Sequence, residues 1–512
     1  MYICLTYRPL IAGLVAATLF GCSSQQQISP SNSGTSGPST FHAKHHHHAK
    51  RNALEYGTPL RHIVVVLMEN RTVDDLFQNF PGADTQAWGL GLYGNHVTLV
   101  AEPLDTAWDP IHSHLPPNAS TPGGFATEND NFRNDGWANE HFVCNGSCSG
   151  ATAYAYVKKS DVQPYYDLAS SFTLADEVYQ DNEGPSYVAH QYLIAGQANG
   201  YTSSSYLDAA ENPSPTVDQC PNMVSDVQTV DLTAPYPGSE KTKNEIAPCQ
   251  DYSTIFDLVD TAAGGGYPNV NWKSYVPATT VAYWNGPMVV NHLYNLYTKE
   301  GGDGGTGNFI VDQGLYKFTN NVANGKLPPL SFIVPCPAWS DHPGMTGQKG
   351  GIMLGRYGPS FVGYIANTIG QSKQYWTNEP TAVVVIWDDW GGWFDHNVPF
   401  ENPNRIGNQQ DPNNYGYRTP MLVISPYPPY GGGAIDGKQK TQSAILTFIE
   451  RAFSTGELGT SDDVMNSQDD MIDGTDFNFN EPPVPYKSVQ LQSGAPAFGS
   501  SGLKCPNPDF DG

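Results

Sequence analysis

Basic residues are scarce in this sequence. Lys and Arg total 25, against 50 Asp and Glu, and the formal net charge at pH 7 is −25. A surface that binds nucleic acid needs an excess of positive charge to neutralise the phosphates. The charge balance therefore argues against a nucleic-acid partner and predicts a solvated acidic surface.

Long hydrophobic runs are also missing. The apolar stretch 10–20 is too short for a membrane-spanning helix, which needs about 20 apolar residues. It follows Arg8 and precedes "LFGC" (19–22), a pattern typical of a secretory signal whose Cys22 receives a lipid, as in bacterial lipoproteins. We expect residues 1–21 to be a signal peptide. The exported protein would be anchored at the cell envelope through Cys22, or, with a plain secretory signal, be periplasmic or secreted.

Cysteines are few. With Cys4 and Cys22 set aside, six remain: Cys144, Cys148, Cys220, Cys249, Cys336 and Cys505. An even number in an oxidising compartment predicts disulfides, and the first four fall into two locally spaced pairs, although sequence alone does not determine the connectivity. Zinc binding by Cys144 and Cys148 is an alternative, but no second Cys/His pair stands at a suitable spacing.

Gly (52) and Pro (41) are plentiful and indicate many turns and long loops. Residues 22–58 are rich in Ser, Gln, Pro and Gly and predict a disordered tether. Residues 59–485 form the predicted catalytic domain, with a loop-rich insertion or cap at about 200–325, and residues 486–512 are expected to be a C-terminal tail.

Continuous apolar runs predict strands that are covered on both faces of a mostly parallel sheet. The runs are 62–70, 328–335, 381–387 and 419–426. Helical patterns lie between them, at 163–172, 357–372 and 441–453. Strands that alternate with helices predict an α/β class, with a central sheet flanked by helices.

Polar pairs follow three of these strands. They are Glu69-Asn70, Asp341-His342 and Asp388-Asp389, with His396 a little further on. Ligands of open α/β sheets bind at the carboxyl ends of the strands. Two adjacent carboxylates at about 4 Å repel by on the order of 4 kcal/mol at an effective dielectric near 20. A divalent cation would relieve that repulsion, so the pattern predicts a metal site; turn or helix-cap roles are the alternative.

A candidate nucleophile lies in "NEGPSYVAHQYLIAG" (182–196). Gly184-Pro185 predicts a sharp turn, and Ser186 follows it at the start of a helix. A hydroxyl beside a metal at a helix N-terminus suits phosphoryl chemistry. The alternative is that Ser186 only caps the helix.

Six segments, in this order, resemble the bacterial phospholipase C and acid phosphatase family of phosphoesterases. They are "ENRTVDDLF" (69–77), "DPIH" (109–112), "FTLADEVYQDNEGPSYVAHQYLIAG" (172–196), "SDHPG" (340–344), "WDDWGGWFDHNVP" (387–399) and "GYRTPMLVISPY" (416–427). The resemblance implies an alkaline-phosphatase-like fold and the hydrolysis of phosphate esters through a phosphoryl-enzyme, formed on a hydroxyl held by a metal.

The resemblance also implies site residues. The metal ligands, for a divalent ion of unknown identity, would be Glu69, Asn70, Ser186, Asp388 and Asp389. Ser186 would be the nucleophile, and the residues that hold phosphate oxygens or assist the leaving group would be His112, Asp341 and His342. Asp395 and His396 would support the ligands from behind.

Three positions depart from the pattern of the family. Asp389 stands where the family usually has Glu, Ser186 is typical of the acid phosphatase branch rather than the Thr of phospholipases C, and His190 stands where phospholipases often have Arg. Ser186 and His190 favour the acid phosphatase branch, while the shorter Asp389 bears on which metal is preferred. The prediction is an exported, metal-dependent, acid-phosphatase-like phosphoesterase with a phosphoserine intermediate and a phosphate-ester substrate.

Two alternatives remain. A phospholipase C acting on phosphatidylcholine or related lipids would need an apolar mouth, for which Trp390, Trp393 and Phe394 are candidates unless they pack in the core. The other alternative is a surface binding lipoprotein without catalysis.

Overall fold

The computed structural model describes residues 56–506, apart from 115–123, 125–132, 145–147, 199–207, 214–219, 221–226, 232–241, 267–268, 278–283, 303–306, 345–354, 400–414, 461–470 and 473–474. The predicted signal peptide, Cys22 and nearly all of the predicted tether lie outside the described residues. Within them, no helix combines the length and the apolar character that a membrane crossing requires.

Nineteen strands occur in the described ranges: β1 His62–Met68, β2 Trp88–Leu90, β3 His96–Thr98, β4 Val100–Glu102, β5 Trp108–Pro110, β6 Phe142–Cys144, β7 Ala155–Val157, β8 Thr173–Ala175, β9 Val178–Tyr179, β10 Asp208–Ala210, β11 Val227–Asp231, β12 Thr242–Ile246, β13 Trp272–Val276, β14 Phe309–Val311, β15 Leu330–Ile333, β16 Thr381–Trp387, β17 Met421–Ile424, β18 Ala434–Asp436 and β19 Lys440–Thr441. The α-helices of the same ranges are α1 Val73–Leu76, α2 Gln163–Ala169, α3 Ser186–Ala195, α4 Ile255–Ala262, α5 Asn291–Lys299, α6 Tyr316–Ala323, α7 Gly358–Gly370 and α8 Ala444–Phe453.

A central sheet of eight strands organises the molecule, in the order β14-β13-β15-β1-β16-β17-β8-β18. Strand β1 lies between β15 and β16 and is parallel to both, whereas β17 runs antiparallel to its neighbours β16 and β8. The prediction of a mostly parallel α/β sheet is confirmed, with β17 as the strand that reverses direction.

The continuous apolar sequence of β1 follows from burial on both faces of the sheet. Val64, Val66 and Met68 pack into one hydrophobic cluster, which includes residues of α2 and α7. Ile63 and Leu67 point the other way, into a second cluster that includes residues of α4 and α8. Because side chains alternate between the faces of a strand, a strand with helices on both sides must be apolar at every position.

The region 200–325 differs from the prediction of an insertion or cap. Strands β13 and β14 belong to the central sheet and form one of its edges. They are short and stand among Gly-rich loops, so their apolar pattern is too brief to be distinguished in the sequence.

The segment expected to be a C-terminal tail from residue 486 is packed rather than free. Val489, Phe498 and Cys505 are buried in the cluster that contains residues of α7. Cys505 is also disulfide-bonded to Cys336, across a sequence separation of 169 residues.

Two further disulfides join Cys144 to Cys148 and Cys220 to Cys249. Both are the pairs that local spacing suggested. Since Cys144 and Cys148 are bonded to each other, they are not available as zinc ligands.

Candidate active site

Hydrogen bonds join the segments that follow β1 and β16 at the carboxyl edge of the sheet. Asp388 directly follows β16, and its backbone N–H donates to the carbonyl of Met68 at 2.9 Å. Asn70 directly follows Glu69 at the end of β1, and its backbone N–H donates to Oδ1 of Asp388 at 2.9 Å. Parallel pairing of β1 with β16 therefore brings Glu69, Asn70 and Asp388 to one point.

The Gly pair after Asp389 lets the chain turn back onto Asn70. Gly391 and Gly392 have φ values of 64° and 69°, a left-handed conformation that favours glycine. A Cβ on Gly391 would stand 2.5 Å from backbone and side-chain atoms of Asn70. The N–H of Gly391 donates to Oδ1 of Asp389 at 2.8 Å and so orients this carboxylate.

Ser186 contacts the carboxylates from the start of a helix. It is the first residue of α3, and its Oγ lies 3.1 Å from Oδ2 of Asp389 and 3.5 Å from Oε2 of Glu69. Pro185 occupies the N-cap position of the helix, without a side-chain cap bond. Ser186 is thus not the cap residue, and its hydroxyl is directed to the carboxylates instead.

His190 joins the same group, a role that our sequence reasoning missed. It is fully buried one turn after Ser186, and its Nε2 lies 3.0 Å from Oε1 of Glu69 and 3.4 Å from Oδ2 of Asp388. The signal in the sequence was the four-residue spacing from Ser186, which puts both side chains on one face of a helix.

Two further histidines lie near these residues. The Nδ2 group of Asn70 donates to Nε2 of His112 at 3.0 Å, while Nδ1 of His112 donates to the carbonyl of Pro110. The rings of His112 and His342 are 5.9 Å apart, and His342 stacks on Trp284. Burial, with a smaller contribution from His112, lowers the pKa of His342 to about 3, so this imidazole is neutral.

Asp341 is held by buried residues of the core. Its Oδ2 accepts hydrogen bonds from the hydroxyl of Tyr165 at 2.6 Å and from Nε1 of Trp387 at 3.0 Å. Its backbone carbonyl accepts from the buried guanidinium of Arg71. Burial raises the pKa of its carboxyl group to about 7. These hydrogen bonds hold the loop after β15 against the core, while Oδ1 of Asp341 is buried without a hydrogen-bond partner among the described residues. A role of this carboxyl group in holding a phosphate oxygen stays a prediction.

Asp395 and His396 belong to a neighbouring charge network. Asp395 accepts from Nε of Arg418 at 3.1 Å, and Nδ1 of His396 lies 2.6 Å from Oδ2 of Asp74. Arg418 Nη2 lies 3.7 Å from the same Asp74 oxygen. This network supports α1, which follows the Glu69-Asn70 turn, and the guanidinium balances part of its negative charge.

The carboxylates at the centre of the site are strongly perturbed. Burial, followed by the charge of Asp388, raises the pKa of Glu69 and that of Asp389 well above their usual values. Burial also acts to raise the pKa of Asp388, but the His190 ring, Glu69 and the Asn70 N–H together bring it down to about 2. Three buried carboxyl groups at such short range call for a compensating positive charge.

The donor set fits a divalent cation. Oδ1 of Asn70 and Oδ2 of Asp388 are buried and accept no hydrogen bond from the described residues. Metal–ligand bonds of about 2.1 Å place neighbouring ligand atoms about 3.0 Å apart in an octahedron and about 3.4 Å apart in a tetrahedron. The distances of 3.0 Å and 3.4 Å from Nε2 of His190 to Glu69 and Asp388 fall in this range, and Oγ of Ser186 lies 3.1 Å from Asp389.

Several known proteins are similar in sequence to this chain. The chain is 23% identical over 431 residues to the non-hemolytic phospholipase C of Burkholderia pseudomallei, covering 77% of this chain and 55% of that protein. It is 21% identical over 485 residues to the non-hemolytic phospholipase C of Pseudomonas aeruginosa, covering 88% and 62%. It is 25% identical over 462 residues to phospholipase C B of Mycobacterium tuberculosis, covering 84% and 80%.

The chain thus spans less than two thirds of the length of the first two relatives. The model of the phosphoesterase family matches residues 60–456, a range that contains every residue of the site described above. The chain therefore belongs to the phosphoesterase family.

Proposed function

We propose that the protein is an exported phosphoric ester hydrolase that uses Ser186 as its nucleophile and depends on a divalent cation. The observation that carries this proposal is the position of Ser186 Oγ, 3.1 Å from Asp389 and 3.5 Å from Glu69 within a buried cluster of acidic groups. Membership of the phosphoesterase family and relatives named phospholipase C support the same reaction class.

The residues that would hold the cation are Glu69, Asn70, Ser186, Asp388 and Asp389. When bound, the ion would supply positive charge that favours the alkoxide of Ser186 and neutralises the phosphate of the substrate. The unpartnered Asn70 and Asp388 oxygens support this assignment.

The reaction then proceeds in two displacements. Ser186 Oγ attacks phosphorus in line, the Oγ–P bond forms and the bond from phosphorus to the ester oxygen breaks, so that the alcohol leaves with a proton. Asp389 is the nearest carboxylate to the hydroxyl proton of Ser186. Water then attacks the phosphoserine, which releases inorganic phosphate and restores the hydroxyl. His112 and His342, at the border of the site, would position phosphate oxygens or assist the leaving oxygen.

The test is replacement of the nucleophile. S186A should lose turnover of p-nitrophenyl phosphate by at least about 10³-fold, because its contribution acts in the chemical step. A matched control is S331A, since Ser331 is a buried serine within β15 that our proposal places outside the chemistry. Acid quenching during turnover should leave a phosphate on Ser186, detected by mass spectrometry of the peptide. Full activity of S186A would contradict the assignment.

A phospholipase C is the second candidate, and a surface feature favours it. The β2–β3 hairpin exposes Leu90, Leu92 and Tyr93, the last with 94% of its surface accessible. Its strand β2 packs on Phe394, which lies in one apolar cluster with Trp390. Those two residues and Trp393 are buried, so they form core rather than the apolar mouth that we had considered.

A substrate panel separates the candidates. Phosphomonoesters, phosphodiesters and phosphatidylcholine vesicles would each be assayed with and without a chelator. If lipid is the substrate, Y93S should lower activity on vesicles without changing turnover of p-nitrophenyl phosphate. The matched control is Y430S, since Tyr430 is 92% exposed in a different loop. Metal binding without hydrolysis of any ester would favour a binding lipoprotein, the remaining alternative.

Export and lipid anchoring are also proposals, supported by the sequence of residues 1–22. Mass spectrometry of the mature N-terminus would detect cleavage before Cys22 and a diacylglyceryl group on its sulfur. An intact N-terminus in the purified envelope fraction would contradict them.

A further inference from the structure

A nitrogen ligand stands among the oxygen donors of the site. We propose that Nε2 of His190 binds the cation directly and makes the site selective for a transition ion that accepts imidazole, rather than for Mg²⁺ or Ca²⁺. This inference rests on the proposed metal dependence and names the class of ion.

The placement of the ring carries the first part of the argument. His190 lies on α3, whose ten residues are all buried, so its side chain has little freedom to move away. Its Nε2 lies 3.0 Å from Glu69 Oε1 and 3.4 Å from Asp388 Oδ2, and these three atoms form a group compatible with one ion. Both separations match those between neighbouring ligand atoms around a metal.

The polar contacts of the ring carry the second part. Nδ1 of His190 has no hydrogen-bond partner among the described residues, and Nε2 of the ring contacts the two carboxylates. A single N–H on Nε2 cannot be directed well at both carboxylate oxygens. Oδ2 of Asp388 accordingly accepts no hydrogen bond from the described residues. A shared ion would satisfy Nε2 and both carboxylates at the same time.

Ligand chemistry then indicates the class of ion. Imidazole suits zinc, iron, copper and nickel, whereas Mg²⁺ and Ca²⁺ bind through oxygen donors. Mn²⁺ accepts oxygen and nitrogen donors and is paramagnetic, which makes it a useful probe. Loss of the ring should therefore weaken Zn²⁺ binding strongly and change Mg²⁺ binding little.

The experiment uses the full chain, freed of metal and loaded with Mn²⁺ alone. Electron spin echo envelope modulation of the bound ion should show coupling to an imidazole ¹⁴N, which disappears in H190Q. The matched control is H62Q, since His62 is a buried histidine at the opposite end of β1. Titration should show Zn²⁺ affinity lowered by at least about 10–100-fold in H190Q, with Mg²⁺ affinity changed less than about threefold.

Each other outcome is decisive. Bound Mn²⁺ without ¹⁴N coupling, or coupling that persists in H190Q, would overturn the inference and leave the proposed function intact. Failure of the protein to bind any of the ions would overturn the metal dependence itself. If H190Q does not fold, H112Q and H342Q replace it: coupling kept in both assigns the nitrogen to His190, and coupling lost in either one overturns the assignment.

Discussion

At the scale of single residues, the adjacent acids Asp388 and Asp389 are tolerated because their side chains have different partners. Asp388 accepts from the backbone of Asn70 and lies beside His190, while Asp389 accepts from Gly391 and faces Ser186. Although Asp389 is one methylene shorter than Glu, it still reaches the hydroxyl of Ser186. These donors offset part of the repulsion between the two carboxylates that the sequence suggests.

The first prediction concerns the replacement of Gly391 by alanine. G391A should lower both Mn²⁺ affinity and turnover, the latter by about 10²-fold, because the new methyl group would stand 2.5 Å from atoms of Asn70 and displace a proposed ligand. Titration with Mn²⁺ and steady-state kinetics measure the two effects.

The control for this prediction is G94A. Gly94 has φ of 71°, close to the 64° of Gly391, but a Cβ there would meet nothing within 4 Å. Both variants should lose about 1–2 kcal/mol of stability from the left-handed backbone, and G94A should keep its turnover. Equal losses of turnover would show that backbone strain, rather than contact with Asn70, is responsible.

At the scale of secondary-structure elements, the site depends on how loops are tied to the sheet. The loop after β15 leads through the turn Pro337–Trp339 to Asp341 and His342. Arg71 holds the carbonyl of Asp341, and Cys336 bonds to Cys505 in the C-terminal segment. The C-terminal segment therefore contributes to the position of a loop at the carboxyl edge of the sheet.

The second prediction concerns the stability that the Cys336–Cys505 disulfide contributes. Replacing both cysteines with Ser should lower the free energy of unfolding by about 5 kcal/mol, because the bond closes a loop of 169 residues in the unfolded chain. Urea unfolding, followed by circular dichroism, measures the change.

The matched control replaces Cys144 and Cys148, whose sequence separation is only 4. The same chain-entropy argument gives a loss of only about 2 kcal/mol for that short loop. A smaller loss for Cys336 and Cys505 than for the control pair would contradict the argument from loop length.

At the scale of the whole molecule, negative charge is found inside as well as outside. The sequence pI is near 4.7, and several carboxyl groups besides those that contact Ser186 are fully buried. Burial raises the pKa of Asp75 to about 6 and those of Asp395 and Asp476 to about 7. Nearby cations, such as Lys440 beside Asp476, offset part of this effect.

The dependence of stability on pH is the third prediction. Between about pH 4 and 7 the folded protein holds protons that the unfolded chain has released, so the free energy of unfolding falls as pH rises through this window. D476N imitates the protonated carboxyl and should remove on the order of 3 kcal/mol of this decrease. Urea unfolding at several pH values, with excess chelator, measures the slope.

The control is E481Q, because Glu481 is exposed. This variant should keep the slope of the wild-type protein, since the Glu481 side chain lies at the surface and not in the buried Asp476–Lys440 contact. An unchanged slope in D476N would show that Asp476 is already ionised in the folded protein at acidic pH.

Much of the fold was predictable from residue patterns because burial on both faces demands continuous apolar strands. The observed strands β1, β15, β16 and β17 lie within the predicted runs, and α2, α7 and α8 lie within the predicted helices. Short elements without such a pattern were not predictable. Strands β13 and β14 at the sheet edge and the packed C-terminal segment became visible only in three dimensions.

The sequence by itself determined the class of the sheet, the polar groups at its strand ends and the resemblance to phosphoesterases, because these depend on local patterns. Only the tertiary structure decided which side chains meet. It turned Asp341 towards Tyr165 and Trp387, placed Asp395 with Arg418, and brought His190 to Glu69. Such choices depend on the register of neighbouring strands and the rotation of a helix, which bring together residues that lie between 23 and 176 positions apart.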